Sequence, residues 1–360
     1  MTKQKRHQGI DLMRIFCMLM IVLYHIQGHG GLINAQNLSP INQILIIAMQ
    51  TIYQAAVDGY ALISGYIGYR SHQKYSSLIY LWLRVLCYSV GITALVWLAA
   101  PSLVTWTAIR RSFFPLLNGQ YWYFTAYAGC FVLTPLVHAA ISNLSFKKCT
   151  LYLGVILVFF SFFPYIMRND PFQTEGGNHA LWLLILYALG MYIRKYDPFS
   201  KLSVKMNLLL LFGACAIQVS ARFFFRPLVQ LLCGKLVSPW YLICHDSPTT
   251  LLLALLLLLL FARISFFCNH RLFYTMASAS FSVYLIHDHP LIRQHIIVPL
   301  GSRLAQLPSS LLLPSVFASA LIIYLCATTI DFVREKIFGL LRIRSLISCL
   351  ENKIHFSDET

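Results

Sequence analysis

The sequence predicts an all-α fold: a polytopic membrane helix bundle of about ten transmembrane helices with both termini in the cytoplasm. Three observations support this prediction. Hydrophobic residues make up 58% of the 360 residues and charged residues only 11%, whereas soluble proteins contain about 25% charged residues. Apolar runs close to the length of about 20 helical residues that a bilayer requires recur along the whole chain. Lys and Arg lie in short groups between these runs.

The apolar runs predict ten helices in chain order. Their ranges are 10–28, 43–69, 77–99, 120–141, 149–167, 180–194, 206–224, 248–263, 277–293 and 310–330. The first run follows a basic segment, as a secretory signal does, but charges inside it and nine further runs favour a retained helix. The eighth run is nearly pure leucine, so we expect it to face lipid and carry no chemistry.

The basic residues predict the orientation. With the N-terminus in the cytoplasm, most of the 28 Lys and Arg fall on cytoplasmic segments, as the positive-inside rule requires. They are spread between the runs instead of forming one basic face, so we expect a multi-pass protein of the cell membrane and no nucleic-acid partner. We divide the chain into a transmembrane domain, 1–330, and a cytoplasmic amphipathic tail, 331–360, that lies on the membrane surface. A disordered or purely topological tail is the alternative.

The first helix carries three ionisable residues, Asp11, Arg14 and His25, within an otherwise apolar run. At about 100° per residue all three share one stripe, and Arg14 and His25 lie about 16 Å apart along the axis. Ionisable groups in membrane spans normally face the bundle interior and are functional. The alternative is a simple ion pair between Asp11 and Arg14, with His25 hydrogen-bonded to a neighbouring helix.

Polar residues also occur in the second and third runs. The second contains Asp58 and then Ser64 and Gly65, which permit close backbone approach or a broken helix. The third contains Arg84, which either extends towards the cytoplasm or pairs with a phosphate. Both interpretations stay open at this point.

Aromatic and histidine residues mark two further run ends. Tyr121, Trp122 and Tyr123 form either an interfacial aromatic belt or a surface that stacks on a sugar. His287 is followed by an aspartate and a second histidine, but neighbouring residues on a helix point apart, so we predict no metal site. The ten cysteines contain no C-x-x-C pair and predict neither a zinc site nor a disulfide framework.

Five segments occur in an order that resembles the acyltransferase 3 family of integral-membrane acyltransferases. These segments are RIFCMLMIVLYH, LISGY, WYFTAYAGCFVLTP, LWLLILYALGMYIRKY and FSVYLIH, and the resemblance runs from about residue 8 to 330. It implies transfer of an acyl group, most often acetyl from acetyl-CoA, to a sugar hydroxyl. The expected partners are acyl-CoA as donor co-substrate, a surface glycan acceptor (lipopolysaccharide, capsule or exopolysaccharide) and the lipid bilayer. No bound cofactor is expected.

The resemblance also implies roles for particular residues. The arginine and histidine of the family fall on Arg14 and His25. The family's R-x-x-R motif does not fit, because Leu81 and Cys87 stand three residues from Arg84; Lys74 is the candidate for the missing charge.

We therefore expect catalysis by His25 as general base, with Arg14 and Asp11 organising the cytoplasmic entrance. The expected donor-binding residues are Arg14, Arg84 and Lys74. The expected substrate-binding residues are Asp58, Tyr121, Trp122, Tyr123 and His287.

Three alternatives stay open from the sequence. The acyl group reaches the acceptor either directly from the pantetheine arm or through an acyl-enzyme. A different class of function is a membrane exporter or flippase of a glycan intermediate, for which interrupted helices at matching positions in two inverted halves would be diagnostic. A third is a structural subunit whose polar groups only fix helix register.

Overall fold

The described part of the chain comprises residues 7–70, 75–167, 170–234, 242–265 and 270–356 of a computed structural model. Within these ranges it is helical and contains no strand. The helices are α1 Gln8–Gly28, α2 Pro40–Tyr53, α3 Ala55–Gly68, α4 Tyr75–Ala99, α5 Trp106–Ser112, α6 Trp122–Asn143, α7 Phe146–Leu157, α8 Phe163–Met167, α9 Ala180–Tyr196, α10 Val204–Ser220, α11 Arg226–Cys233, α12 Pro248–Arg263, α13 Arg271–His287, α14 Pro290–Ile292, α15 Val298–Leu304, α16 Ser309–Leu340 and α17 Ile343–Phe356. Three π-helical turns, Val158–Phe162, Ala221–Phe225 and Arg293–Ile297, join neighbouring helices.

Six stretches of helix in the described ranges are long and apolar enough to cross a membrane. They are Gln8–Gly28, Tyr75–Ala99, Trp122–Asn143, Phe146–Met167, Val204–Phe225 and Ser309–Leu340. This confirms a helical membrane bundle. The count of about ten spans and the cytoplasmic placement of both termini stay predictions.

The second predicted run is interrupted, but not at the expected glycine. The break lies at Gln54, between α2 and α3, and α3 continues through Ser64 and Gly65. A Cβ atom on Gly65 would lie 1.9 Å from the carbonyl oxygen of Tyr187 on α9. The expectation of close backbone approach is therefore confirmed, and the alternative of a helix broken at this position is wrong.

The leucine-rich helix α12 lies inside the bundle, so the expectation that it faces lipid is wrong. It packs against α1, α3 and α10, and leucines around most of its circumference are buried, Leu253 and Leu258 among them. Lipid tails are as apolar as leucine, so composition alone does not distinguish a buried helix from a lipid-facing one. The helices α2, α3, α12, α13 and α16 surround α1 and hold its polar stripe at the centre of the fold.

The predicted boundary at residue 330 falls inside α16, which continues to Leu340. Asp331 and Arg334, just beyond that boundary, are buried, and the Tyr88 hydroxyl of α4 donates to Asp331 at 2.7 Å. The following helix, α17, packs against α4. The division into domain and tail, and the position of the tail on the membrane, stay predictions.

Candidate functional site

A cavity of about 270 Å³ lies beside the last turns of α1. Helices α3, α6 and α13 and the loop before α12 complete its wall. The wall is mainly apolar and aromatic, with a few polar groups that include His25, His245 and Asp288. Such a lining, apolar with few convergent polar groups, is typical of a small-molecule site.

A chain of hydrogen bonds fixes the orientation of His25. Nδ1 of His287 lies 2.6 Å from the carbonyl oxygen of Val283, and because a carbonyl only accepts, this nitrogen carries the proton. In a neutral ring Nε2 of His287 is then an acceptor, and it lies 2.9 Å from Nδ1 of His25. His25 therefore holds its proton on Nδ1, and its Nε2 has a lone pair. No described residue hydrogen-bonds that nitrogen.

Charged and titratable groups that also line the cavity approach His25. Oδ1 of Asp288 lies 3.6 Å from Nδ1 of His25 and 3.6 Å from Nε2 of His29. Both distances are too long for a hydrogen bond but short enough for charge attraction. Nη1 of Arg293 approaches the same oxygen at 3.5 Å. A proton taken up by His25 would thus lie close to a negative charge that Arg293 partly offsets.

Three of these groups have the donor atoms of a metal site. One ligand atom from each of His25, His29 and Asp288 lies within 4.8 Å of the others. Arg293 already supplies a positive charge at the carboxyl group, which opposes binding of a divalent cation there. The absence of a metal site stays a prediction.

A second histidine and aspartate lie on another part of the wall. Nδ1 of His245 is 3.8 Å from Oδ1 of Asp58, which also accepts from the indole N–H of Trp182 at 3.3 Å. Nε2 of His245 contacts the amide nitrogen of Gln54 at 3.3 Å, and its ring stacks on Trp122 with centroids 5.9 Å apart. The loop that holds His245 lies outside the membrane-spanning helices, and burial lowers the pKa of this histidine to about 4.

Sequence reasoning did not single out His245. The available signal was the segment CHDSP, a histidine and aspartate in a turn directly before the eighth apolar run. Its aspartate, Asp246, accepts hydrogen bonds from Tyr165 at 2.6 Å and Thr174 at 2.5 Å, and burial raises its pKa. Asp246 therefore anchors the loop that presents His245.

The residues predicted to bind substrate occupy different positions around the cavity. Trp122 and Tyr123 line it. Tyr121 is fully buried, and its hydroxyl donates to the carbonyl of Leu285 at 3.0 Å. Asp58 and His287 are also buried and stand behind His245 and His25, respectively.

The first turns of α1 carry the other two polar residues of the stripe, Asp11 and Arg14. Nη1 of Arg14 lies 3.1 Å from Oδ1 of Asp11, as the i,i+3 interpretation predicted. The hydroxyl of Tyr60 donates to the backbone carbonyl of Arg14 at 2.7 Å, while the same side chain lines the cavity. Tyr60 therefore lies between the cavity and the Arg14 end.

A further arginine, Arg194, lies at this end, although sequence reasoning counted it only as a topological charge. Its Nη1 donates to the hydroxyl of Tyr66 at 2.8 Å, and its guanidinium lies over the ring of that tyrosine. Tyr66 in turn contacts the ring of His7, the residue before α1. Burial and the charge of Arg194 lower the pKa of His7, which Asp11 opposes.

The structure does not bring Arg84 to Arg14. Nη2 of Arg84 pairs with Oε1 of Glu335 at 3.1 Å, and Arg334 donates to the same oxygen at 3.0 Å. This cluster joins α4 to α16. Lys74 lies outside the described residues, so the donor-binding roles of Arg84 and Lys74 stay predictions.

The comparisons with known proteins give one match. The family model of an acyltransferase domain matches residues 7–330, nearly the whole chain. Comparisons with curated proteins and with solved structures each find no match. The matched range contains the helices that form the cavity, both histidine and aspartate pairs and the Arg14 end. The chain therefore belongs to the acyltransferase 3 family of membrane acyltransferases.

Proposed function

We propose that the protein is an O-acyltransferase that moves an acyl group, most readily acetyl, from acyl-CoA to a hydroxyl of a cell-surface polysaccharide or its lipid-linked precursor. The observation that carries this proposal is the histidine pair in the cavity wall. Val283 and His287 hold the proton of His25 on Nδ1. The lone pair of Nε2 is thereby available to a group in the cavity.

The reaction follows from this geometry. Nε2 of His25 removes the proton of the acceptor hydroxyl as its oxygen attacks the thioester carbonyl carbon. The new C–O bond forms, the C–S bond breaks, and the thiolate of coenzyme A leaves and receives the proton from His25. Asp288, 3.6 Å from Nδ1, stabilises the imidazolium that exists between these two transfers.

We place the donor at the Arg14 end of α1, which the distribution of basic residues assigns to the cytoplasm. Arg14 and Arg194 offer guanidinium groups that suit the phosphates of coenzyme A. We expect the thioester to pass Tyr60 on its way to His25, because Tyr60 lines the cavity and its hydroxyl contacts the backbone of Arg14.

Acyl-CoA turnover by the purified protein in lipid nanodiscs tests the proposal. With radiolabelled acetyl-CoA and no glycan, water replaces the acceptor, and slow donor hydrolysis is expected. His25→Ala should lower this rate by at least about 100-fold, since a positioned general base contributes about 10²- to 10⁴-fold.

His29→Ala is the matched control, because His29 directly follows α1, lines the same cavity and makes no hydrogen bond to His287. We expect it to retain at least about a tenth of the wild-type rate. An active His25→Ala protein overturns the role of this histidine. If the wild-type protein is correctly inserted but does not hydrolyse acetyl-CoA, the acyltransferase proposal is contradicted and the alternative of a membrane exporter is favoured.

A further inference from the structure

A second cleft opens beside the cavity at the same end of the molecule. Its volume is about 570 Å³, and it lies between the last turns of α4, the segment around α5, and the chain from His289 to His295. Arg293 lines both this cleft and the cavity that contains His25. A molecule in the cleft would therefore lie next to the proposed base. We call this space the basic cleft.

The basic cleft has the chemistry of a sugar site with a positive charge. Hydroxyl and amide side chains, among them Asn118 and Gln120, offer hydrogen bonds to sugar hydroxyls. Arg111 and Arg293 supply two permanent positive charges, and His295 also lines the cleft. None of the described residues that line the cleft is acidic.

Asp288 contacts Arg293 at 3.5 Å, and three further acidic residues at this end of the molecule are grouped elsewhere. Asp170 and Asp246 both accept hydrogen bonds from Thr174, and Glu175 pairs with His179 at 3.3 Å. All five of these residues belong to the loop before α9 and the loop before α12. Asp288 therefore partly offsets the charge of Arg293, while none of the described residues that line the cleft offsets the charge of Arg111.

The two arginines have donors available for an anion. Arg293 contacts Asp288 through Nη1, which leaves most of its five N–H groups for other partners. It sits at the start of the π-helical turn Arg293–Ile297, and such turns often occur at functional sites. Arg111 is exposed at the end of α5, and its guanidinium makes no ion pair with any residue in the described ranges.

We propose that the basic cleft binds the acceptor glycan and selects one that carries an acidic group, a uronate carboxylate or a phosphate, close to the hydroxyl that is acylated. Arg111 and Arg293 hold the anion, and the adjoining sugar ring extends towards Nε2 of His25. This inference rests on the proposed function for the identity of the reaction. The selection of an anionic sugar rests on the lining of the cleft.

Direct binding without any donor tests the proposal. The probes are cellobiouronic acid, glucose 1-phosphate and, as the neutral match, cellobiose, titrated calorimetrically into the protein in lipid nanodiscs. We expect at least one anionic probe to bind about tenfold or more tightly than cellobiose, the effect expected of a hydrogen bond to a charged group. Preference for the uronic acid or for the phosphate identifies which anion the cleft takes.

Two neighbouring arginines supply the variants. Arg111→Gln should weaken the anionic probe about tenfold and leave cellobiose unchanged. Arg110→Gln removes the adjacent exposed arginine, which does not line the cleft, and should have no effect. Equal affinity for charged and neutral sugars, no binding of either anion, or equal losses in the two variants would overturn the proposal.

Acetyl-CoA hydrolysis in the same preparations keeps the two proposals separable. If acetyl-CoA is hydrolysed but the protein does not prefer anionic sugars, only the proposal for the basic cleft is contradicted. If anionic sugars bind selectively but acetyl-CoA is not hydrolysed, the acyltransferase proposal is contradicted and the sugar-binding site is supported.

Discussion

The cavity has two histidine and aspartate pairs with nearly the same spacing and different surroundings. His25 and Asp288 are 3.6 Å apart, and His245 and Asp58 are 3.8 Å apart. Near the first pair lie His29, which is partly exposed and also faces Asp288, and Arg293, which lines the basic cleft. The second pair is closed in by aromatic side chains.

The surroundings assign different chemistry to the same residue types. His25 is connected through His287 to a backbone carbonyl that fixes its tautomer, and a charge that it acquires is balanced by Asp288. His245 is lodged between Trp122 and the fully buried Asp58, with no permanent cation among its described contacts. The first pair suits proton transfer, and the second suits holding a neutral polar group, such as the thioester carbonyl or a sugar hydroxyl.

The largest effect that separates the pairs is expected from His287→Ala. Without the acceptor at Nε2 of His287, His25 loses the partner that keeps its proton on Nδ1. The rate constant for donor hydrolysis at saturation should fall about 100-fold, the upper end of the roughly 10- to 100-fold loss seen when the partner that orients a metal-bound histidine is removed. The KM for acetyl-CoA should change little, because the proposed donor site lies at the Arg14 end of α1.

Two variants distinguish orientation of His25 from a general loss of structure. His287→Gln restores an amide oxygen that can accept from Nδ1 of His25, so it should recover much of the rate. His289→Gln removes a histidine that is equally buried but contacts Ser89 and not His25, and it should keep most of the wild-type rate of donor hydrolysis. Similar losses in all three variants would show that His287 acts only in packing.

A smaller effect is expected from Asp58→Asn. The amide keeps an oxygen for the indole of Trp182, so the fold is retained, while the carboxylate behind His245 is lost. We expect kcat to fall less than about tenfold, with the main change in KM, because an interaction made equally in ground and transition states alters binding and not the chemical step. A fall in kcat as large as that of His287→Ala would make the two pairs equivalent and contradict the comparison.

The sequence was a good guide where helical periodicity carries the information. The common stripe of Asp11, Arg14 and His25 and the ion pair at its start follow from 3.6 residues per turn; the structure has one unbroken helix through all three residues and the ion pair. The close approach at Gly65 follows from the absence of a side chain. These are properties of one helix and its immediate contact.

Contacts between distant segments were not predictable in the same way. His245 belongs to a loop without periodicity and meets Asp58 from nearly 190 residues away. His287 was expected to contact sugar, and its position behind His25 depends on how α13 is rotated against α1, which spacing within one helix does not determine. The buried position of α12 escaped prediction because leucine favours lipid and protein interior alike.

A different effect concerns stability and depends on pH through His245. Burial lowers the pKa of this histidine to about 4 in the folded protein, below the value of about 6.5 expected after unfolding. The unfolded chain therefore binds more protons between these values, and the free energy of unfolding falls as the pH decreases through this window. Between pH 7 and pH 5 the loss should be about 2 kcal/mol.

Tryptophan fluorescence during thermal unfolding at pH 7 and pH 5 measures this loss as a shift in the apparent melting temperature. His245→Gln removes the titrating group and should show a smaller shift than wild type. His270→Gln removes an exposed histidine outside the cavity and should keep the wild-type shift. If His245→Gln also keeps the full shift, His245 is not held as a neutral ring in the folded protein. The proposed contrast between His245 and the proton acceptor His25 would then be wrong.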